Sequence, residues 1–163
     1  MQVAPALHWT WCRFEALGGA GVYDMLALRA RVFILEQGPY LDPDGLDQAS
    51  GHLLARDDDG ALRAYLRVVD PGLKYAEPSI GRVVVDAALR GTGAGHDLVA
   101  RGVALCVAEW PGRGIRISAQ SHLQRFYGRH GFQPVGAEYL EDDIPHIEMW
   151  RLPELPDQGP GGA

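Results

Sequence analysis

With 163 residues, 17.8 kDa and 47% hydrophobic content, the chain is sized for one domain with a substantial core. Its formal net charge of -6 and pI near 5.4 argue against nucleic acid as a partner, because phosphate backbones need a basic field. No apolar run approaches the ~18 residues of a membrane span, and the start MQVAPALHWTW lacks a basic region followed by an apolar one, so a cytoplasmic protein with no membrane partner is expected.

Leu7 to Phe14 alternates bulky and polar residues around Trp9 and Trp11, which predicts a half-buried first strand. Glycines at 18, 19 and 21 break the chain. Tyr23 to Gln37 then puts Met25, Leu28, Val32 and Leu35 on one helical stripe and leaves Arg29, Arg31 and Glu36 off it. The next loop is shaped by Pro39, Pro43 and the Asp44-Gly45 pair, and has the length of a binding loop. Its acids Asp42, Asp44 and Asp47 do not fit a calcium loop, whose glycine is misplaced and whose bidentate glutamate is replaced by Leu53; they read as a solvated turn. His52 to Arg56 and Leu62 to Val69 flank an Asp57-Asp58-Asp59-Gly60 turn and predict an antiparallel hairpin. Beyond a loop from Pro71 to Pro78, Ile80 to Asp86 is a continuous apolar strand of the kind found at a sheet centre.

That strand leads into Arg90 to Gly95, RGTGAG, and then a helix. Glycines let backbone approach closely and take positive φ, and a helix start offers free N–H groups, so the loop suits an anion; three glycines can equally serve only to shape a tight turn. A Walker loop is excluded because no lysine stands near it. A dinucleotide fingerprint is disfavoured because His96 and Pro111 occupy the positions of its third glycine and its acid.

From Gly95 to Trp110 the spacing predicts an amphipathic helix with Leu98, Val99, Gly102, Leu105, Cys106 and Val107 on one side. Gly102 costs ~1 kcal/mol relative to alanine there, which implies tight packing against a strand. Arg113 to Gln120 alternates and is expected to run parallel to Val83 to Asp86. Ser121 to His130 reads as a short helix opened by a Ser121/Gln124 capping box, stopped at Gly131, with Leu123, Phe126, Tyr127 and His130 on its inward stripe. Phe132 to Leu140 and His146 to Leu152 are two last strands around residues 141 to 145. Residues 1–152 are thus one domain and 153–163 a flexible tail. Cys12 and Cys106 read as small core residues, and no metal site is expected.

RGTGAG fits the R/Q-x-x-G-x-G/A loop of the GNAT superfamily of acyl-CoA N-acyltransferases, and FYGRHGF (126 to 132) resembles that superfamily's second signature. Residues 31–37, 39–47, 80–84, 119–127 and 144–149 are similar to the ElaA-like branch, so the resemblance spans Leu7 to Leu152. It implies an α/β (α+β mixed) fold: a central, mostly antiparallel mixed sheet whose parallel strands four and five splay apart, flanked by helices, with acetyl-CoA as cosubstrate in the splay. Carried over, Arg90, Gly91, Thr92, Gly93, Ala94 and Gly95 would hold the pyrophosphate, Val83, Val84 and Val85 would meet pantetheine and thioester, and Gln120 and His122 would contribute to the donor site. Tyr127 would protonate the departing thiolate. Many relatives carry Asn and Ala where Gln120 and Leu123 stand here, so the contacts of Gln120 depart from the common pattern.

Direct transfer also needs a proton acceptor. Glu36, His122, Glu141, Asp142 and His146 are the candidates, with Glu36 and His146 placed nearest the acceptor side and each also readable as a structural residue. The expected activity is transfer of acetyl to a primary amine of a small molecule or peptide. A noncatalytic acyl-CoA sensor or scaffold is the alternative, and a homodimer is among the assemblies considered.

Overall fold

The computed structural model describes residues 5–154 and contains seven strands and three α-helices in two antiparallel sheets. Strands β1 (His8–Arg13), β2 (Ser50–Arg56), β3 (Leu62–Val69) and β4 (Ser79–Val85) form the first sheet in that order. The second has β5 (Ile115–Gln120), β7 (Ile144–Arg151) and β6 (Phe132–Glu141), with β7 in the middle. The tail residues from 155 onward lie outside the described part.

The first sheet is covered on both faces, as the alternation of its strands requires. Leu53, Ala55, Leu66 and Val68 face helix α2 (Ala94–Glu109), while Leu54, Tyr65 and Val84 face Met25 and Leu28 of helix α1 (Phe14–Arg29). Gly102 of α2 lies against Leu66, where a Cβ would come within 2.7 Å of Leu66 Cδ2, so the tight packing expected of it is present. Strand β5 alternates buried and half-buried residues along its whole length, as its sequence does.

Strands β4 and β5 meet only at their beginnings, where Arg116 N–H donates to the Pro78 carbonyl at 3.1 Å, and they are not laddered together beyond that point. The mixed sheet with two splayed strands therefore takes the form of two antiparallel sheets opening like a V. Strand β4 is also bulged. Tyr65 pairs with Val84 and Arg67 with Gly81, so Arg82 and Val83 together oppose Leu66, and Arg82 takes a φ of +50°.

Three local expectations are corrected. The helix begins earlier than Tyr23, at Phe14, with Gly18 as a kink (φ +66°). After Arg29 it widens, Leu35 N–H reaching back five residues to the Ala30 carbonyl. That wide turn shifts the phase of the helix end, so Leu35 points to solvent at 80% exposure while Arg29, placed off the stripe by its sequence, is fully buried. The Ser121/Gln124 capping box does not form: Ser121 to Leu123 is a single tight turn, Ser121 Oγ is buried without a partner, and helix α3 (Gln124–Gly128) starts only after it. Finally, the acidic segment 141–145 is not a loop. Asp142 and Asp143, at φ +51° and +60°, make a two-residue hairpin turn, and β7 begins at Ile144.

Candidate functional site

The V between β4 and β5 is a cleft, and it gathers Val83, Gln120, Tyr127 and His146 from the residues singled out by sequence. Each arrives by a different element. The β4 bulge swings Val83 into the opening, while Val84 turns its side chain into the core beside Met25 and Leu28. Gln120 ends β5 and donates through Nε2 to Gln37 Oε1 at 3.0 Å, tying the end of the widened helix to the second sheet. Tyr127 comes up from α3 into a nearly dry position at 8% exposure, packed edge-on against Phe126 and Phe132. Burial pushes its phenol well above the ordinary tyrosine value, so the hydroxyl keeps its proton at neutral pH.

His146 is not a strand-end residue as its sequence position suggested. The short hairpin turn places it two residues into the central strand β7, paired with Gln120 on one side and Tyr139 on the other. Its Nδ1 lies 2.7 Å from the Ile144 carbonyl, which can only accept, so Nδ1 carries the hydrogen and Nε2 is the free basic position. Glu141 Oε2 is 3.6 Å from that Nε2 and accepts from Ser118 Oγ at 3.1 Å; Ser118 Oγ also bonds to the Tyr139 hydroxyl. This array of imidazole, carboxylate and two hydroxyls on one wall can accept a proton and stabilise the resulting cation. Ser118 and Tyr139 were missed by sequence reading. They act only through the register of three strands, which local spacing does not reveal.

The glycine loop lies beside α2. Gly91 and Gly93 take φ of +79° and +86°, and Asp86 caps the turn before them by accepting from Ala88 N–H. A Cβ at either glycine would meet nothing within 4 Å, so it is the positive φ and not crowding that favours glycine at both positions. Thr92 is exposed and its hydroxyl donates to the Leu89 carbonyl at 2.6 Å. Ala94 and Gly95 open the helix, whose 16-residue length gives its first N–H groups a full dipole behind them. Arg90 is paired with Glu36 at 2.7 and 3.0 Å, which puts Glu36 at the loop rather than in the cleft. His122 is exposed on its tight turn.

The acids of the long loop are the largest surprise. Asp42, Asp44 and Asp47 do not form a solvated turn; three arginines hold them. Arg29 Nε–H donates to Asp42 at 2.8 Å and its Nη1 to Asp47 at 2.9 Å. Arg67 grips Asp44 with both Nη groups at 2.7 Å and reaches Asp47 at 2.9 Å. Arg82 Nε stands 2.9 Å from Asp42 Oδ1 and its Nη2 bonds to the Asp42 carbonyl. The arginines hold the carboxyls of Asp44 and Asp47 below the usual carboxylate range against a desolvation that acts the other way. Beneath them His52 donates from Nε2 to the Asp47 carbonyl at 2.8 Å and accepts the Tyr65 hydroxyl at Nδ1. The cluster anchors the strained Arg82, and with it the bulge that presents Val83 to the cleft.

The cysteines stay out of this chemistry. Cys106 is buried in the main core, and burial pushes its thiol to about 12; Cys12 is raised as well. No helix of the described residues is long and apolar enough to cross a membrane.

Residues 42–152 match the family model described as an acetyltransferase (GNAT) domain. A UPF0039 protein of Synechocystis is 46% identical over 149 residues, covering 90% of this chain and 97% of that protein. Protein ElaA of Escherichia coli K12 is 38% identical over 148 residues, covering 89% and 96%. Among solved structures, an acyl-CoA N-acyltransferase from Pseudomonas aeruginosa superposes with a TM-score of 0.85 at 45% identity, over 90% of this chain and 99% of that one. Escherichia coli ElaA follows at 0.83 and 38%, with the same coverage. Both the glycine loop and the Tyr127 helix fall inside the matched region, and the chain belongs to the GNAT family of acyl-CoA N-acyltransferases.

Proposed function

We propose that this protein transfers an acetyl group from acetyl-CoA to a primary amine of a small molecule or peptide by direct attack within a ternary complex. The observation that carries the reading is the cleft itself, where a dry, protonated Tyr127 and the His146–Glu141 pair line the same opening. The diphosphate of the donor lies on the backbone of Gly91 to Gly95, and its pantetheine enters beside Val83. The amine nitrogen attacks the thioester carbon, forming a C–N bond as the C–S bond breaks. Its proton passes to His146 Nε2, and Tyr127 protonates the thiolate as it leaves. The raised thiols of Cys12 and Cys106 support direct transfer over an acyl-cysteine route, because thiolate is the nucleophilic form.

The test is release of free thiol from acetyl-CoA across polyamines, amino acids, aminoglycosides and peptides. Saturable, amine-dependent release is expected. Donor binding by calorimetry without thiol release on any amine would sink the catalytic reading and leave an acyl-CoA sensor.

A further inference from the structure

The chain contains one lysine among its 15 basic side chains. Lys74 stands on the exposed turn between β3 and β4, which is closed by Gly72 N–H donating to the Tyr75 carbonyl at 2.7 Å, with Gly72 at φ +88°. The turn folds back so that Lys74 joins the lining of the cleft that holds Val83, Tyr127, Glu141 and His146. Its ammonium has an aromatic neighbour, Nζ lying 5.5 Å from the centre of the Tyr75 ring. The two guanidinium side chains of this lining are of a different kind: Arg67 is bound to Asp44 and Asp47, and Arg82 to Asp42 and Asp44. Guanidinium groups stay protonated and are not nucleophiles, whereas a lysine that loses its proton is a primary amine.

We propose that Lys74 is an internal acceptor, a self-acylation site whose Nζ takes the acyl group of a bound acyl-CoA when no external amine is present. The proposal rests on the acyl-transfer reading above. The neutral Nζ attacks the thioester carbonyl, a C–N bond forms and the C–S bond breaks. One nitrogen-bound proton passes to His146 Nε2, and the thiolate leaves as CoA thiol after protonation. No oxidant or further reactant is needed.

Desolvation in the cleft lowers the pKa of Lys74 from the ordinary lysine value; Glu141 opposes this, and the like charges of Arg67 and Arg82 add to it. A larger share of neutral amine is therefore present at neutral pH than for a lysine in water. The product is a neutral amide longer than the side chain it replaces, standing in the lining of the cleft. Self-acylation thus removes the one nucleophilic amine from the lining and narrows the path for external acceptors, so modified protein turns over external amines more slowly.

The test is incubation of the full chain with acetyl-CoA and no amine, followed by intact mass measurement and peptide mapping. One added acetyl group mapping to Lys74 is expected, at a rate that does not change with protein concentration. It is lost in Lys74→Arg, slowed in Tyr127→Phe and absent from chain unfolded in urea at the same pH. The proposal is overturned if Lys74 stays unmodified, if the unfolded chain is acetylated as fast, or if the rate rises with protein concentration. Thiol release with external amines while Lys74 stays free would sink this proposal alone; no release and no modification would sink the acyltransferase reading with it.

Discussion

Tyr127 combines two properties that a general acid needs, a retained proton and a place in the cleft wall. Tyr127→Phe keeps its packing against Phe126 and Phe132 and removes only the hydroxyl, so kcat is expected to fall roughly 10²-fold with donor KM little changed. Steady-state kinetics with a fixed amine checks it, and equal kcat would remove Tyr127 from the mechanism. His52 makes a different prediction. Burial lowers its pKa in the folded state, and His130 moves the same way, so over that interval the unfolded chain binds more protons. Stability from these groups is complete above about pH 6.5, the unfolded value, and is lost as the pH falls below it. Thermal melts in buffers of equal ionic strength should show Tm declining on acidification from pH ~7 toward ~5; a rising Tm would contradict the assignment.

At the level of elements, Gly102 of α2 is a test of close approach. Alanine is the better helix former by ~1 kcal/mol. Its Cβ would nonetheless press to 2.7 Å on Leu66, a fully buried side chain with no room to retreat, so Gly102→Ala is expected to destabilise by ~1–3 kcal/mol in urea unfolding. The need for that glycine was legible in the sequence, as were the seven strands: β5 alternates in sequence and in burial, β2 and β3 flank a hairpin turn, and β4 is a continuous apolar run. The first helix was less legible. One extra residue in its last turn changes the phase of everything after Ala30, and apolar spacing alone cannot reveal a turn closed by a five-residue bond. The hairpin at Asp142-Asp143 was hidden for a related reason, since neither central residue is the glycine that marks most such turns. Tyr127, Val83, Gln120 and His146, which line one cleft, were singled out by motif and order. The groups around His146, Ser118 and Tyr139, come from strands brought together only by sheet register, and Arg82, beside Val83 on β4, is held by acids distant in sequence.

Across the whole molecule, the six-charge cluster joins α1, the long loop, β3 and β4 into one block. Its arginines lie 38 or fewer residues from the next one along the chain, at 29, 67 and 82, and no local pattern pairs them with acids at 42, 44 and 47. Arg67→Met leaves Asp44 on Arg82 alone and Asp47 on Arg29 alone, and is expected to cost ~1–3 kcal/mol of unfolding free energy, read from chemical denaturation. Because the carboxyls of Asp44 and Asp47 are depressed, their contribution is intact above about pH 4 and disappears as the pH falls through their folded values. The Glu36–Arg90 pair has a consequence of another sort. A diphosphate bound at the loop as proposed would find its arginine already occupied, so donor capture would be an exchange of one anion for another. The pair is about half exposed, so the competition is worth no more than ~1 kcal/mol. Glu36→Gln should therefore tighten donor binding by at most about fivefold, the opposite of what removing a base would do. Glu36, once freed, would sit next to Gln37, whose bond to Gln120 joins two residues of the cleft lining, so donor capture would act on a residue adjacent to the cleft wall.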